Sequence, residues 1–152
     1  VVPDTVTVDG ITYTVTSVAG KAFYNNKKLK NVTIGKNVEE IENAAFSGCT
    51  ALTKVTIKAE ELESIGDSAF ANCVKLTSVT IPEGVTKIGK NAFSGCKKLK
   101  KVIIKSTVLK KIGKNAFKGI KKNATFKCPK KQLAKYKKLL KGAKVAKTVK
   151  IK

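Results

Sequence analysis

Hydrophobic positions in this chain recur in a block that repeats five times. The dipeptide Ala-Phe ends at Phe23, Phe46, Phe70, Phe93 and Phe117, in steps of 23, 24, 23 and 24 residues. Five residues before each Phe lies a branched apolar residue: Val18, Ile41, Ile65, Ile88 or Ile112. Three residues earlier lies another: Val15, Val38, Leu62, Val85 or Leu109. Three residues after Phe come Asn26, Cys49, Cys73, Cys96 and Ile120, and three further on Leu29, Leu52, Leu76, Leu99 and Asn123. Each block closes on a pair two apart: Val32/Ile34, Val55/Ile57, Val79/Ile81, Val102/Ile104 and Ala124/Phe126.

These columns predict local structure. The Val-x-Ile alternation has period two, so it reads as a strand with one buried face. Phe, Cys and Leu are spaced i, i+3, i+6, which predicts a helical turn or two with one inward stripe. The Ile-Gly steps at Gly66, Gly89 and Gly113 are expected at turns, where glycine tolerates positive φ. One block cannot bury its own apolar columns, but stacked blocks form a continuous core with like residues in ladders. Their strands then lie about 4.8 Å apart in a parallel sheet.

The ends break the pattern and are expected to act as caps, since a solenoid otherwise exposes sheet edges and core. Thr5–Val8 and Ile11–Val15 alternate around Asp9-Gly10, a hairpin signal. After the last block, Pro129 suits a helix start and Gly142 a helix stop. Between them Leu133, Tyr136, Leu139 and Leu140 form an apolar stripe among lysines. This helix is expected to lie over the last rung; a basic membrane-surface helix is the competing reading. Residues 148–151 read as a final strand. The chain thus divides into a hairpin cap (1–15), five repeats (16–127) and a helix–strand cap (128–152).

The pattern Ile-Gly-x-x-Ala-Phe-x-x-Cys-x-x-Leu-x-x-Val-x-Ile resembles the BspA-type, or treponemal-type, leucine-rich repeat over about residues 11–127. The terminal copies depart from it at Asn26, Ile120 and Asn123, as copies abutting caps are expected to do. The resemblance implies a β-rich right-handed solenoid of the α/β horseshoe class, belonging to a larger bacterial surface or secreted protein. It also implies adhesion-like binding of an extracellular protein or glycan, with no catalytic residues to carry over. The chain starts at Val1 and contains no Met, which is expected of a mature product or a segment of a longer protein. No apolar run approaches the ~20 residues of a bilayer-spanning helix.

Composition changes the picture in three ways. First, charge is uneven: residues 1–76 hold 8 Lys and 9 acids (net −1), while residues 77–152 hold 24 Lys and only Glu83 (net +23). Such a field attracts polyanions, which suggests an anionic wall polymer as partner, contacted through Lys130, Lys131, Lys137 and Lys138. A solvated lysine-rich surface remains the alternative. There is no Arg and no Trp, so specific nucleic-acid reading, which favours guanidinium forks and aromatic stacking, is not expected. Second, there is no His, the commonest general base, so no enzyme, cofactor or metal centre is expected. The acids Glu39, Glu40 and Glu42, with Glu60, Glu61, Glu63 and Asp67, fit a solvated edge or a calcium site. Third, Cys49, Cys73 and Cys96 share one inward column. Parallel side-chain vectors there suit free thiols better than disulfides.

The strand residues between the buried ones define a candidate ligand face: Asn31, Thr33, Lys54, Thr56, Lys58, Ser78, Thr80, Lys101, Ile103 and Lys105. Solenoids present such extended faces to partners. Ile103 is the apolar member and the best single contact candidate. A monomer is expected.

Overall fold

The computed structural model describes residues 1–152 and is a solenoid of about six turns closed by a single helix. A hairpin, β1 (Thr5–Val8) and β2 (Ile11–Thr14), precedes the coil. Each turn then contributes a four-residue strand and a two-residue strand. The long ones are β4 (Asn31–Ile34), β6 (Lys54–Ile57), β8 (Ser78–Ile81) and β10 (Lys101–Ile104), followed by the shorter β12 (Thr125–Lys127). The short ones are β3 (Ser17–Val18), β5 (Glu40–Ile41), β7 (Ser64–Ile65), β9 (Lys87–Ile88) and β11 (Lys111–Ile112). All pairings within the coil are parallel and keep the columns in register, for example Val102 beside Val79 and Ile65 beside Ile88.

The third side of each turn is not helical. Residues on either side of Phe take positive φ: Lys21 and Asn25, Ala44 and Gly48, Ser68 and Asn72, Asn91 and Gly95, Asn115 and Gly119. Alternate N–H groups therefore point in two directions. Those of Ala22, Tyr24 and Asn26 close turns onto the carbonyl three residues back. Those of Lys21, Phe23 and Asn25 reach the next rung, at Asn43, Ala45 and Ser47. A helix would spend every N–H within its own rung; this alternation leaves half of them to bind neighbouring rungs.

The Ile-Gly glycines serve a different purpose from the one the sequence suggests. None of Gly66, Gly89 and Gly113 has positive φ. A Cβ on Gly89 would lie 2.5 Å from the Asp67 nitrogen and the Gly66 carbonyl carbon. The requirement is close backbone approach between rungs. Left-handed glycines occur on the turn side, where Gly48 and Gly95 each face the side chain of an asparagine, Asn25 and Asn72, one rung before. Asn25 and Asn72 are each followed, one rung on, by a glycine because one rung's amide occupies the space its neighbour leaves; at the last rung Gly119 meets Gly95 instead.

The core is one cluster running the length of the coil. Its axis is a stack of rings, Phe23, Phe46, Phe70, Phe93 and Phe117, with centroids 5.0, 5.1, 5.3 and 5.3 Å apart and planes within 7°. Phe126 ends the stack edge-on at 89°.

The C-terminal helix α1 (Leu133–Gly142) buries Tyr136 and Leu140. It continues the ladder as a substitute rung: the Phe117 N–H donates to the Ala143 carbonyl, and β13 (Lys150–Ile151) pairs with β12. Tyr136 Oη donates to the Ser106 carbonyl at 2.8 Å, and Ser106 Oγ donates to the Val85 carbonyl at 2.7 Å. Burial of the stripe favours the capping role expected of this helix over the membrane-surface alternative. At the other end the hairpin forms around Asp9-Gly10, both with positive φ, but its strands are exposed throughout. The first long strand is covered instead by Val2, which is buried and bridges Ile34. The hairpin is an insertion between that covering segment and Val15.

Phe70→Ala should lower unfolding free energy by about 3–5 kcal/mol, the usual cost of emptying a large buried aromatic site. Phe23→Ala should cost less, because Phe23 is only partly buried at the end of the stack. Urea denaturation of both variants checks the order.

Candidate functional site

The long-strand side brings the predicted ligand-face residues together in two rows. In the first, Asn31 lies beside Lys54, and Ser78 beside Lys101. In the second, Thr33 lies beside Thr56, and Thr80 beside Ile103. The first row is exposed and the second half-buried. Lys58 and Lys105 continue outward past the strand ends. Ile103 is half-buried between Thr80 and Lys127, so it offers a smaller apolar surface than its isolation in the sequence suggests.

The face is interrupted once. No ladder joins β6 to β8. On either side of the break, Lys58 donates its N–H to the Ile34 carbonyl and Lys105 to that of Ile81. The equivalent residue, Pro82, has no N–H to give to Ile57. Val55 and Ile57 are accordingly half-buried where Val32, Ile34, Val79 and Ile81 are buried. The gap opens a depression of ≈ 350 Å³ lined by Ile57, Lys58, Thr80 and Pro82, with Glu60, Glu83 and Lys105 at its rim.

The acids support loops more than they converge. Glu42 accepts from the Gly20 N–H and the Ser17 hydroxyl, at 2.9 and 3.2 Å. Glu40 accepts from Ser64 Oγ at 2.9 Å, and Asp67 from the Lys90 N–H at 2.7 Å. These bonds run between rungs, and no group of three or more acids and thiols comes together as a metal site.

The cysteine column is a hydrogen-bonding device. Cys49, Cys73 and Cys96 are free and buried. Each thiol donates to the carbonyl of the preceding rung's Phe: Phe23 at 3.1 Å, Phe46 at 3.2 Å and Phe70 at 3.1 Å. Burial pushes the Cys49 thiol up to about 11, reinforced by neighbouring Cys73. The adjacent Cys96 thiol, then burial, raises Cys73 further. Cys128, half-buried in the cap, is also raised to about 11 by burial. A thiol held protonated is a poor nucleophile, so the column is structural.

Lysines gather beyond the residues singled out in the sequence, with Lys101 of the candidate face among them. A depression of ≈ 470 Å³ on the last rungs is lined by Lys100, Lys101, Lys121, Lys127 and Lys152, with Asn123 and Thr125. Lys130, Lys131, Lys137 and Lys138 are exposed on the capping segment and line neither this depression nor its neighbour. Two aromatic side chains also escaped notice: Tyr13 and Tyr24 are each 51% exposed. Tyr13 stands in the inserted hairpin, and Tyr24 sits outside every repeated column.

The geometry is that of a leucine-rich repeat scaffold with variable residues displayed on invariant rungs. The family described as the BspA type leucine rich repeat region matches residues 10–141 in six copies, and the chain belongs to that family. No curated protein matches it. Among solved structures it is similar to a leucine-rich repeat protein of T. pallidum, with 33% identity and a TM-score of 0.70, over 80% of this chain and 55% of that one. It is also similar to a leucine rich cell surface protein of Faecalibacterium prausnitzii, with 26% identity and a TM-score of 0.52, over 83% of this chain and 46% of that one. The pneumococcal vaccine antigen PcpA shares the fold at 19% identity, with a TM-score of 0.67, over 98% of this chain and 48% of that one. The chain thus spans about half the length of these proteins. No helix is long and apolar enough to cross a membrane.

The raised thiols make stability fall in alkali. Below the ordinary thiol pKa of about 8.5, folded and unfolded chains both keep their protons and burial is fully favourable. As pH rises from there, the unfolded chain ionises first, and stability is lost progressively up to the folded value of about 11 for Cys49. Melting followed by circular dichroism between pH 8 and 11 should show this fall. A Cys49→Ala/Cys73→Ala variant should show a shallower one.

Proposed function

We propose that this chain is a non-catalytic binding or display module of a bacterial cell-surface or secreted protein. It acts as a monomer, and its partner is an extracellular protein or glycan. The observation that carries this reading is the long-strand face: two in-register rows of outward side chains, with a shallow gap at Pro82, on a scaffold whose inward columns are all committed to the core. The similar leucine rich cell surface protein of Faecalibacterium prausnitzii supports the same compartment. A chain without histidine and with its three-thiol column buried has little to offer catalysis.

Binding to arrays of matrix proteins and glycans tests this. A Thr56→Glu/Ile103→Glu variant should weaken a genuine face ligand by about tenfold or more, as loss of an interface hot spot does. Turnover of a wall polymer by the chain alone would end the reading.

A second reading is attachment to anionic wall polymers through the Lys-rich half, with Lys130, Lys131, Lys137 and Lys138 among the contacts. The depression on the last rungs, lined by five lysines and no acid, favours it. Retention on isolated cell walls should then drop steeply as salt rises, because bound counterions are released when polyanions are neutralised.

A further inference from the structure

We propose that the lysine trough on the last three strand rungs is a binding site for a linear phosphodiester polymer with a polyol backbone. This rests on the electrostatic reading above and gives it a location and a ligand class.

The trough is built by the ladder. Lys101, Thr125 and Lys150 lie side by side on β10, β12 and β13, and Lys127 lies beside Ile103. Lys152 follows β13 and is held by two backbone bonds, its N–H donating to the Phe126 carbonyl and its carbonyl accepting from the Cys128 N–H. The Thr125 N–H donates to Lys100 and the Lys121 N–H to Leu99. The lysine backbones are thus fixed on rigid rungs. A second depression of ≈ 260 Å³ adjoins the first through Lys100 and Lys121 and adds Lys97 and Lys98. Neither is lined by an Asp or Glu side chain, and Glu83, the one acid of this half, lies at the rim of the gap beside Pro82. Cations crowded with no acidic side chain among them draw mobile counterions, which a polyanion displaces with a gain in entropy.

The lining selects among polyanions. Ammonium groups meet phosphate as point charges and need no planar match, and the guanidinium fork, which pairs bidentately with carboxylate and phosphate alike, is absent. No aromatic ring lines the trough, so nucleic-acid bases find no stacking platform. Asn123 and Thr125 sit between the lysines as neutral hydrogen-bonding groups, suited to the hydroxyls of a polyol linker. The two depressions end to end suit an extended chain better than a compact anion.

The test uses a fluorescently tagged poly(glycerol phosphate) chain and anisotropy titrations between about 50 and 200 mM NaCl, the range over which counterion release is most legible. Three variants are compared with the parent: Lys101→Gln/Lys121→Gln/Lys127→Gln in the trough, Lys27→Gln/Lys28→Gln/Lys36→Gln at the far end, and Lys130→Gln/Lys131→Gln/Lys137→Gln/Lys138→Gln on the capping segment. All the replaced side chains are exposed, and circular dichroism verifies folding. The trough variant should bind about tenfold or more weakly at the lowest salt and lose about 2–3 from the slope of log K against log salt. The far-end variant, with the same charge removed, should stay close to the parent. Equal losses in these two variants would mean that net charge alone is read, and would overturn the trough. A loss confined to the capping-segment variant would also overturn it while leaving the electrostatic reading standing. No measurable binding by the parent would end both. Tighter trough-dependent binding of a single-stranded oligonucleotide of equal phosphate number would replace the polyol polymer with a nucleic acid.

Discussion

The structure depends on the backbone hydrogen bonds that hold each rung to the next. They are made on all three sides of the coil: by the long strands, by the two-residue strands, and by every second N–H on the turn side. The phenylalanine stack registers the resulting spacing, with rings 5.0–5.3 Å apart, close to the separation of neighbouring strands. Other features follow from this repeat distance. Gly89 and Gly113 are needed because backbone meets backbone there. Cysteine is needed because a small donor must reach the Phe carbonyl of the preceding rung. Gly48 and Gly95 follow Asn25 and Asn72 on the turn side because one rung's amide fills its neighbour's gap.

A scaffold of this kind converts sequence into rows. Whatever occupies an outward position in one repeat is placed about one rung spacing from its counterpart in the next. Small biases in composition therefore become extended surfaces. The acids of the first half form inter-rung bonds along a loop edge, while the lysines of the second half line a continuous trough. The interruption at Pro82 works the same way: no ladder joins β6 to β8, Pro82 has no N–H to offer there, and Val55 and Ile57 are half-buried. Function on such a fold is a property of the columns left outside the core.

Much of this was legible in the residues alone. Period-two alternation gave the long strands with correct register, the terminal helix was announced by Pro129 and its apolar stripe, and the cysteine column was assigned to free inward thiols, as found. The outward rows were also identified, since inward and outward positions are set by the pleat. What misled was spacing without conformation. Phe, Cys and Leu at i, i+3, i+6 fit a helix, yet the segment alternates left- and right-handed residues, because its N–H groups gain more by pairing with the next rung. Asp9-Gly10 announced a hairpin, but nothing in those residues told whether it would cover the core; Val2 does so instead.

The sequence by itself determined the repeat, the inward columns, the capping helix and the charge gradient, because these are one-dimensional patterns tied to the periodicity of the backbone. Only the tertiary structure decided which lysines meet. Lys101, Lys127 and Lys152 lie 26 and 25 residues apart along the chain and become neighbours when three rungs stack, whereas the lysine pairs of the capping segment, adjacent in sequence, stand outside the trough. The physical reason is that stacking sets distances between rungs, and a linear reading knows only distances along them.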